Sequence, residues 1–312
     1  MAQAQGSLFD VLKYLKGLFL LFGVITATGI VVFVADAGRD RDRYFLERRG
    51  TAIDVAAPQK QSGDSALLRL VSDAGLDVMI RVIRPAPTTT APLRTLLIIG
   101  GHRTGSRAVE LADRPACCNI VAIDYPMDGE LESDTLASMM SSVTSVRRAA
   151  LDTVPAISLA VTWLEKQEWV DKQQIELVGA SLGVPFATTA AALDARIDKL
   201  WLIHGAADNY AWIHYNVGLR GTGPLLQPVY TRLIYWLLYA DSFDTGERIR
   251  SVAPRPVVII GARDDERTPA GQTETLFALA GEPKELLWTD GAHIEPDRSE
   301  IVNRLLRLLQ VR

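Results

Sequence analysis

The sequence predicts an α/β protein: a mostly parallel sheet flanked by helices, with a helical cap inserted late in the chain and a membrane-spanning helix at its start. Three observations carry this. Short apolar runs recur at residues 96–99, 120–123, 175–178, 200–203 and 256–260, with helical segments between them from residue 93 onward. Continuous runs of this kind suit strands buried on both faces, and strand–helix alternation argues a parallel sheet. Residues 208–252 interrupt the alternation with an insertion too long for a simple crossover. Residues 17–35 carry no charge and are nearly all apolar, about the length that spans a bilayer as a helix.

The 312 residues suit one large α/β domain with an appendage. A net charge of −4 gives no reason to expect a nucleic-acid partner. The two cysteines, Cys117 and Cys118, are adjacent, a spacing that rarely forms an unstrained disulfide and is too poor in ligands for a zinc site.

Taken in order, residues 1–37 read as a membrane anchor. Lys13 and Lys16 precede the apolar run; Asp36, Arg39, Asp40 and Arg41 follow it. The alternative is a cleaved signal peptide, because Ala35-Asp36-Ala37 has a small-x-small pattern, and cleavage would leave a secreted or periplasmic protein. Neither reading fixes the membrane face. Residues 38–64 read as a charged linker with a helical turn or two near Arg41 to Arg49. A domain then runs from 65 to 312. Leu68 and Leu70, then Val78, Ile80 and Val82, alternate with other residues around Asp73-Ala74-Gly75, a hairpin pattern. Residues 107–113 read as a short helix, and 133–167 as helices with a break near Pro155. The insertion at about 208–252 is rich in aromatic residues, among them Trp212, Tyr235 and Trp236. It reads as a cap whose aromatics line an apolar substrate pocket.

The chemistry gathers on Gly179-Ala180-Ser181-Leu182-Gly183, which lies between the strand at 175–178 and an alanine-rich helix at 186–193. A serine in such a sharp turn presents its hydroxyl, and the two glycines remove the Cβ atoms that would crowd the turn. The backbone N–H of Leu182, at a helix N-terminus, points toward the same spot and suits an oxyanion. A serine nucleophile needs a base, and the base needs an acid. His293, in the loop after a last short strand at 286–288, is the preferred base, because loops after parallel strands gather at one edge of the sheet.

The loop Gly261-Ala262-Arg263-Asp264-Asp265-Glu266-Arg267-Thr268-Pro269 follows the strand at 256–260. With the order Ser, acid, His and the Gly-x-Ser-x-Gly turn, residues 65–312 resemble the α/β-hydrolase superfamily. The resemblance implies an acid four residues before the loop proline, which selects Asp265; counting from the glycine selects Asp264. Asp208 is a third candidate. Gly100-Gly101-His102 stands where similar hydrolases carry His-Gly-x, which implies the N–H of His102 as second oxyanion donor. Arg103 beside it is a candidate fork for a substrate carboxylate. No cofactor or metal is implied. The expected activity is cleavage of a small-molecule ester or related acyl bond, as in carboxylesterases and lipases. Peptidase or thioesterase chemistry on the same fold, or a non-catalytic membrane-tethered scaffold, are the alternatives.

Overall fold

The computed structural model describes residues 2–51, 53–62, 65–85, 91–101, 105, 115, 117–127 and 136–312. The chain divides into two units, Met1–Arg39 and Asp40–Arg312. The first is a helix, α1 (Ala2–Ala37). Its segment Lys16–Asp36 has a mean hydropathy of 2.6 with none of its surface buried, and is long and apolar enough to cross a membrane.

The second unit is built on a nine-stranded sheet: β1 (Ile53–Ser62), β2 (Ser65–Ser72), β3 (Asp77–Ile83), β4 (Leu93–Ile99), β5 (Asn119–Ile123), β6 (Val170–Ala180), β7 (Lys199–Ile203), β8 (Val257–Ala262) and β9 (Lys284–Thr289). Their spatial order is β1-β2-β3-β5-β4-β6-β7-β8-β9. The first three strands form an antiparallel meander that joins β5 antiparallel. From β5 to β9 every pairing is parallel. The residue patterns match: β3 alternates buried with half-buried positions, whereas β5 and β8 are buried throughout. The chain leaves β4 toward β5 on one side and leaves β6 toward β7 on the other. The ends of β4 and β6 therefore flank the crevice where order reverses, the usual place for a ligand in an open α/β sheet.

The helices are α2 (Asp42–Arg48), α3 (Leu136–Leu164), α4 (Gly183–Leu193), α5 (Asn209–Gly218), α6 (Gln227–Leu237), α7 (Thr245–Arg248), α8 (Gln272–Leu279) and α9 (Ser299–Val311). Val302, Leu305, Leu306 and Leu309 of α9 pack on Leu96, Ile98, Val178, Trp201 and Ile260 of the sheet. Helix α4 covers the other face, since a Cβ on Gly179, one residue past Val178, would sit 2.6 Å from Ala187 Cβ.

Three readings change. Residues 53–62, taken from sequence as part of a linker, form the edge strand β1. Its register shifts between Ala56 and Lys60, around Pro58, which has no N–H for the ladder. Helix α2, also within that stretch, is part of the domain: Phe45 is buried and stacks on Phe243 at 5.3 Å. Helix α3 runs through Pro155 as a single element where a break was expected. The expected helix at 107–113 lies outside the described residues.

The cap residues fold as α5, α6, α7 and a 3₁₀ turn, Ile249–Val252. Asn209, at the start of α5, donates to the carbonyls of Ala240 (2.9 Å) and Phe243 (2.7 Å) and accepts from Thr245 Oγ1 (2.9 Å). These bonds tie the two ends of the insertion together. At the far end of α4, the two Nη atoms of Arg255 donate to three carbonyls, those of Ala191 (2.6 Å), Asp194 (2.9 Å) and Ile197 (3.1 Å).

Candidate active site

Ser181 sits between β6 and α4 with φ +54°, the left-handed region that a side chain rarely occupies. Its N–H donates to Ile203 O at 2.9 Å and its carbonyl accepts from Val184 N at 3.0 Å, so the strained residue is held from both sides. The turn has no space for larger neighbours: a Cβ on Gly183 would lie 2.1 Å from the carbonyl oxygen of Ile99. Glycine is required there because β4 runs directly under the start of the helix.

His293 follows β9 and is 2% exposed. Its Nε2 lies 2.7 Å from Ser181 Oγ, and its Nδ1 lies 2.9 and 3.0 Å from the two carboxylate oxygens of Asp265. A carboxylate only accepts, so Nδ1 carries the proton and the Nε2 lone pair faces the serine hydroxyl. Asp265 Oδ1 also accepts from the N–H groups of Arg267 and Thr268, each at 2.8 Å. Burial pushes the Asp265 carboxyl up, but His293 and these two N–H groups outweigh it and hold it below its ordinary range. Asp264 is exposed, and its N–H donates to Gly291 O at 3.1 Å. Asp208 caps α5 by accepting from Ala211 N at 2.9 Å. Of the three candidate acids, the fold brings Asp265 to the histidine.

The histidine loop is fixed from behind. Glu266 accepts from His293 N at 3.0 Å and from Arg298 Nη1 at 2.6 Å, and Arg298 also donates to His293 O at 2.8 Å. His204 is a residue of this edge that the sequence analysis did not single out. It follows β7, has φ +53°, is fully buried, and accepts from Ile294 N at 2.8 Å through Nδ1. The signal was its place: a histidine directly after a core strand, on the same sheet edge as Ser181 and His293. Burial, reinforced by nearby His293, lowers its pKa to about 4, against smaller opposing effects of Asp265 and Glu266.

A prediction follows from this histidine. The unfolded chain takes up the His204 proton near pH 6.5 and the folded chain near 4, so the unfolded state binds more protons between those values. Stability is full above about pH 6.5 and falls by about 3 kcal/mol as pH drops toward 4. Urea unfolding across this range is expected to show the slope in wild type and to lose that share of it in His204→Asn. Equal slopes in the two proteins would refute the assignment.

Ser181, Leu182 and His293 line a cavity of about 1150 Å³. The N–H of Leu182, at the N-terminus of α4, has no acceptor among the described residues. The cap supplies Trp212, Ile213, Asn216 and Val217 from α5, and Ile234 and Leu238 from α6 and its end. Asn216 Nδ2 bridges Trp212 O and Arg267 O, each at 2.9 Å, which ties the cap to the Asp265 loop. Trp212 lines the cavity. Tyr235 and Trp236 do not line the cavity: with Ile234 and Leu238 facing it, the intervening positions 235–237 turn away at 100° per residue. Tyr235 packs against Tyr210 at 5.7 Å, and Trp236 O accepts from Arg147 at 3.0 Å. His102 and Arg103 lie outside the described residues.

No protein-family model matches the sequence, and no curated protein matches it. Solved structures do resemble the fold. Acetyl xylan esterase 1 from Thermoanaerobacterium sp. JW/SL YS485 superposes with a TM-score of 0.57 at 16% identity, covering 88% of this chain and 93% of that one. The α/β hydrolase GrgF from Penicillium sp. sh18 gives 0.53 at 18% identity, covering 79% and 98%. A cold-adapted esterase from an Arctic intertidal metagenomic library gives 0.51 at 16% identity, covering 84% and 99%. Identity this low speaks to architecture alone, and the architecture is shared across these proteins: this chain has the α/β-hydrolase fold.

Proposed function

We propose that the protein is a membrane-anchored serine esterase. The observation that carries this reading is the unbroken hydrogen-bonded line Asp265–His293–Ser181, opening on an apolar cavity. In the proposed reaction the Ser181 hydroxyl oxygen attacks the acyl carbon, and its proton passes to His293 Nε2. Asp265 holds the ring in the accepting tautomer and stabilises the imidazolium that forms. The Leu182 N–H receives the oxyanion, an interaction that typically lowers the barrier by about 3 kcal/mol, and His102 is proposed by position as the second donor. His293 then protonates the departing alcohol. Water, deprotonated by the same nitrogen, attacks the acyl-enzyme and releases the acid and Ser181. The apolar lining from α5 and α6 supports an ester with an apolar acyl group. Lys16–Asp36 supports retention as an anchor.

The test is a fluorophosphonate probe applied to membrane-extracted protein, with the intact mass measured on the same sample. Labelling of wild type but not of Ser181→Ala, on a chain that retains residues 1–37, is the expected result. A correctly folded wild type that takes no label would sink the esterase reading, and a mass lacking the N-terminal helix would sink the anchor.

A further inference from the structure

Helix α6 is apolar on two sides. Ile234 and Leu238 line the cavity, while Leu226, Val229, Tyr230 and Leu233, spaced i, i+3, i+4 and i+7, form a second row that is exposed. Val229 is 52% exposed, Leu233 49% and neighbouring Leu225 88%. An exposed apolar row on a surface helix of this kind is expected at an interface or a membrane. Two further observations say what covers it. Between Asp208 and Asp241 the sequence contains two arginines, Arg220 and Arg232, both exposed, and no acidic residue, which complements anionic headgroups. The first residues of the domain also dock where α6 ends: the Arg41 guanidinium lies 4.9 Å from the centre of the Tyr239 ring, and Asp42 pairs with Arg248 at 2.6 Å. Arg41 and Asp42 thus lie beside the end of α6.

We propose that the Leu226–Val229–Tyr230–Leu233 face of α6 is a bilayer-docking surface, seated in the headgroup region of an anionic membrane so that apolar esters enter the cavity from the lipid side. The proposal rests on the anchored-esterase reading and deepens it. Docking presents the cap to lipid, and the inner row of the same helix meets the acyl chain as it leaves the bilayer.

The experiment places the full-length chain in phosphatidylcholine–phosphatidylglycerol vesicles, in a Cys117→Ser background, with an environment-sensitive fluorophore on Val229→Cys, Leu233→Cys or, as control, exposed Glu274→Cys of α8. The expected result is blue-shifted emission at 229 and 233, with quenching by headgroup-proximal spin-labelled lipid at least threefold stronger than at 274. Equal quenching by aqueous iodide at all three sites overturns the proposal. So does protection at 229 and 233 that lipid quenchers do not reach and that fades as protein is diluted in lipid, because a second copy of the chain then covers the face. Fluorophosphonate labelling of the same samples separates the two readings. Labelled protein with exposed fluorophores removes the docking surface alone; docked protein without labelling removes the esterase reading alone.

Discussion

Asp265→Asn is expected to lower kcat on a p-nitrophenyl ester by about 10⁴-fold, while Asp264→Asn stays within about threefold of wild type. The size of the first effect comes from proton placement. Asp265 Oδ1 is already bound by the N–H groups of Arg267 and Thr268, so an asparagine would keep its carbonyl oxygen there and turn its NH₂ toward His293. An NH₂ facing Nδ1 forces the ring proton onto Nε2, which then donates to Ser181 where it needs to accept. The geometry is retained and the base is lost. Asp264 has its side chain in solvent and contributes only a backbone N–H to the loop, which asparagine preserves. Steady-state kinetics of the two variants, with circular dichroism as a folding control, decide the matter. Loss of orders of magnitude in Asp264→Asn alone would overturn the assignment.

Asp152→Ala is expected to destabilise the domain by about 3–5 kcal/mol. Asp152 is 3% exposed, on α3, and accepts from Arg48 Nε (3.0 Å), Arg48 Nη2 (2.9 Å) and Tyr44 Oη (2.6 Å). These bonds fasten α2 to the domain, together with the buried Phe45. The Asp152 hydrogen bond raises the Arg48 pKa, while burial, with Asp152 adding to it, pushes the Tyr44 phenol up. Removing the carboxylate leaves a largely buried guanidinium without its counter-charge, the costly way to break such a pair. Arg48→Met added to Asp152→Ala is expected to recover part of the loss, since it removes the stranded charge. Urea unfolding of the detergent-solubilised chain measures both. A single-variant loss under about 1 kcal/mol would show that α2 is held by apolar contact alone.

The parts of this protein legible in its sequence are those where burial leaves a mark. Strands β4 to β8 are apolar because both faces are covered, and the Ser181 turn is marked by glycines that sterics demand. Strand β1 has no such mark. It lies at the edge, contains Pro58, and forms through ladder bonds to β2 that any backbone can make. The continuous path of α3 through Pro155 was hidden for a related reason. Proline removes one helical hydrogen bond, but flanking Val154, Ala156, Ile157 and Leu159 are buried, and that packing outweighs a lost bond. Asp265 was separable from Asp264 only by the family-like spacing, because two adjacent aspartates differ in direction and not in chemistry. Which cap aromatics face the cavity depends on the rotation of α6 about its axis, which no composition encodes.

The three carbonyls held by Arg255 have a consequence for how the site comes apart. Arg255 stands just before β8, the strand that delivers Asp265, and grips the end of α4, the helix whose first turn fixes Ser181. Burial lowers its pKa, but an arginine stays charged at any physiological pH, so this grip does not titrate. These bonds couple the nucleophile helix to the acid strand, so amides of the two are expected to exchange with a common opening free energy, which native-state hydrogen exchange measures.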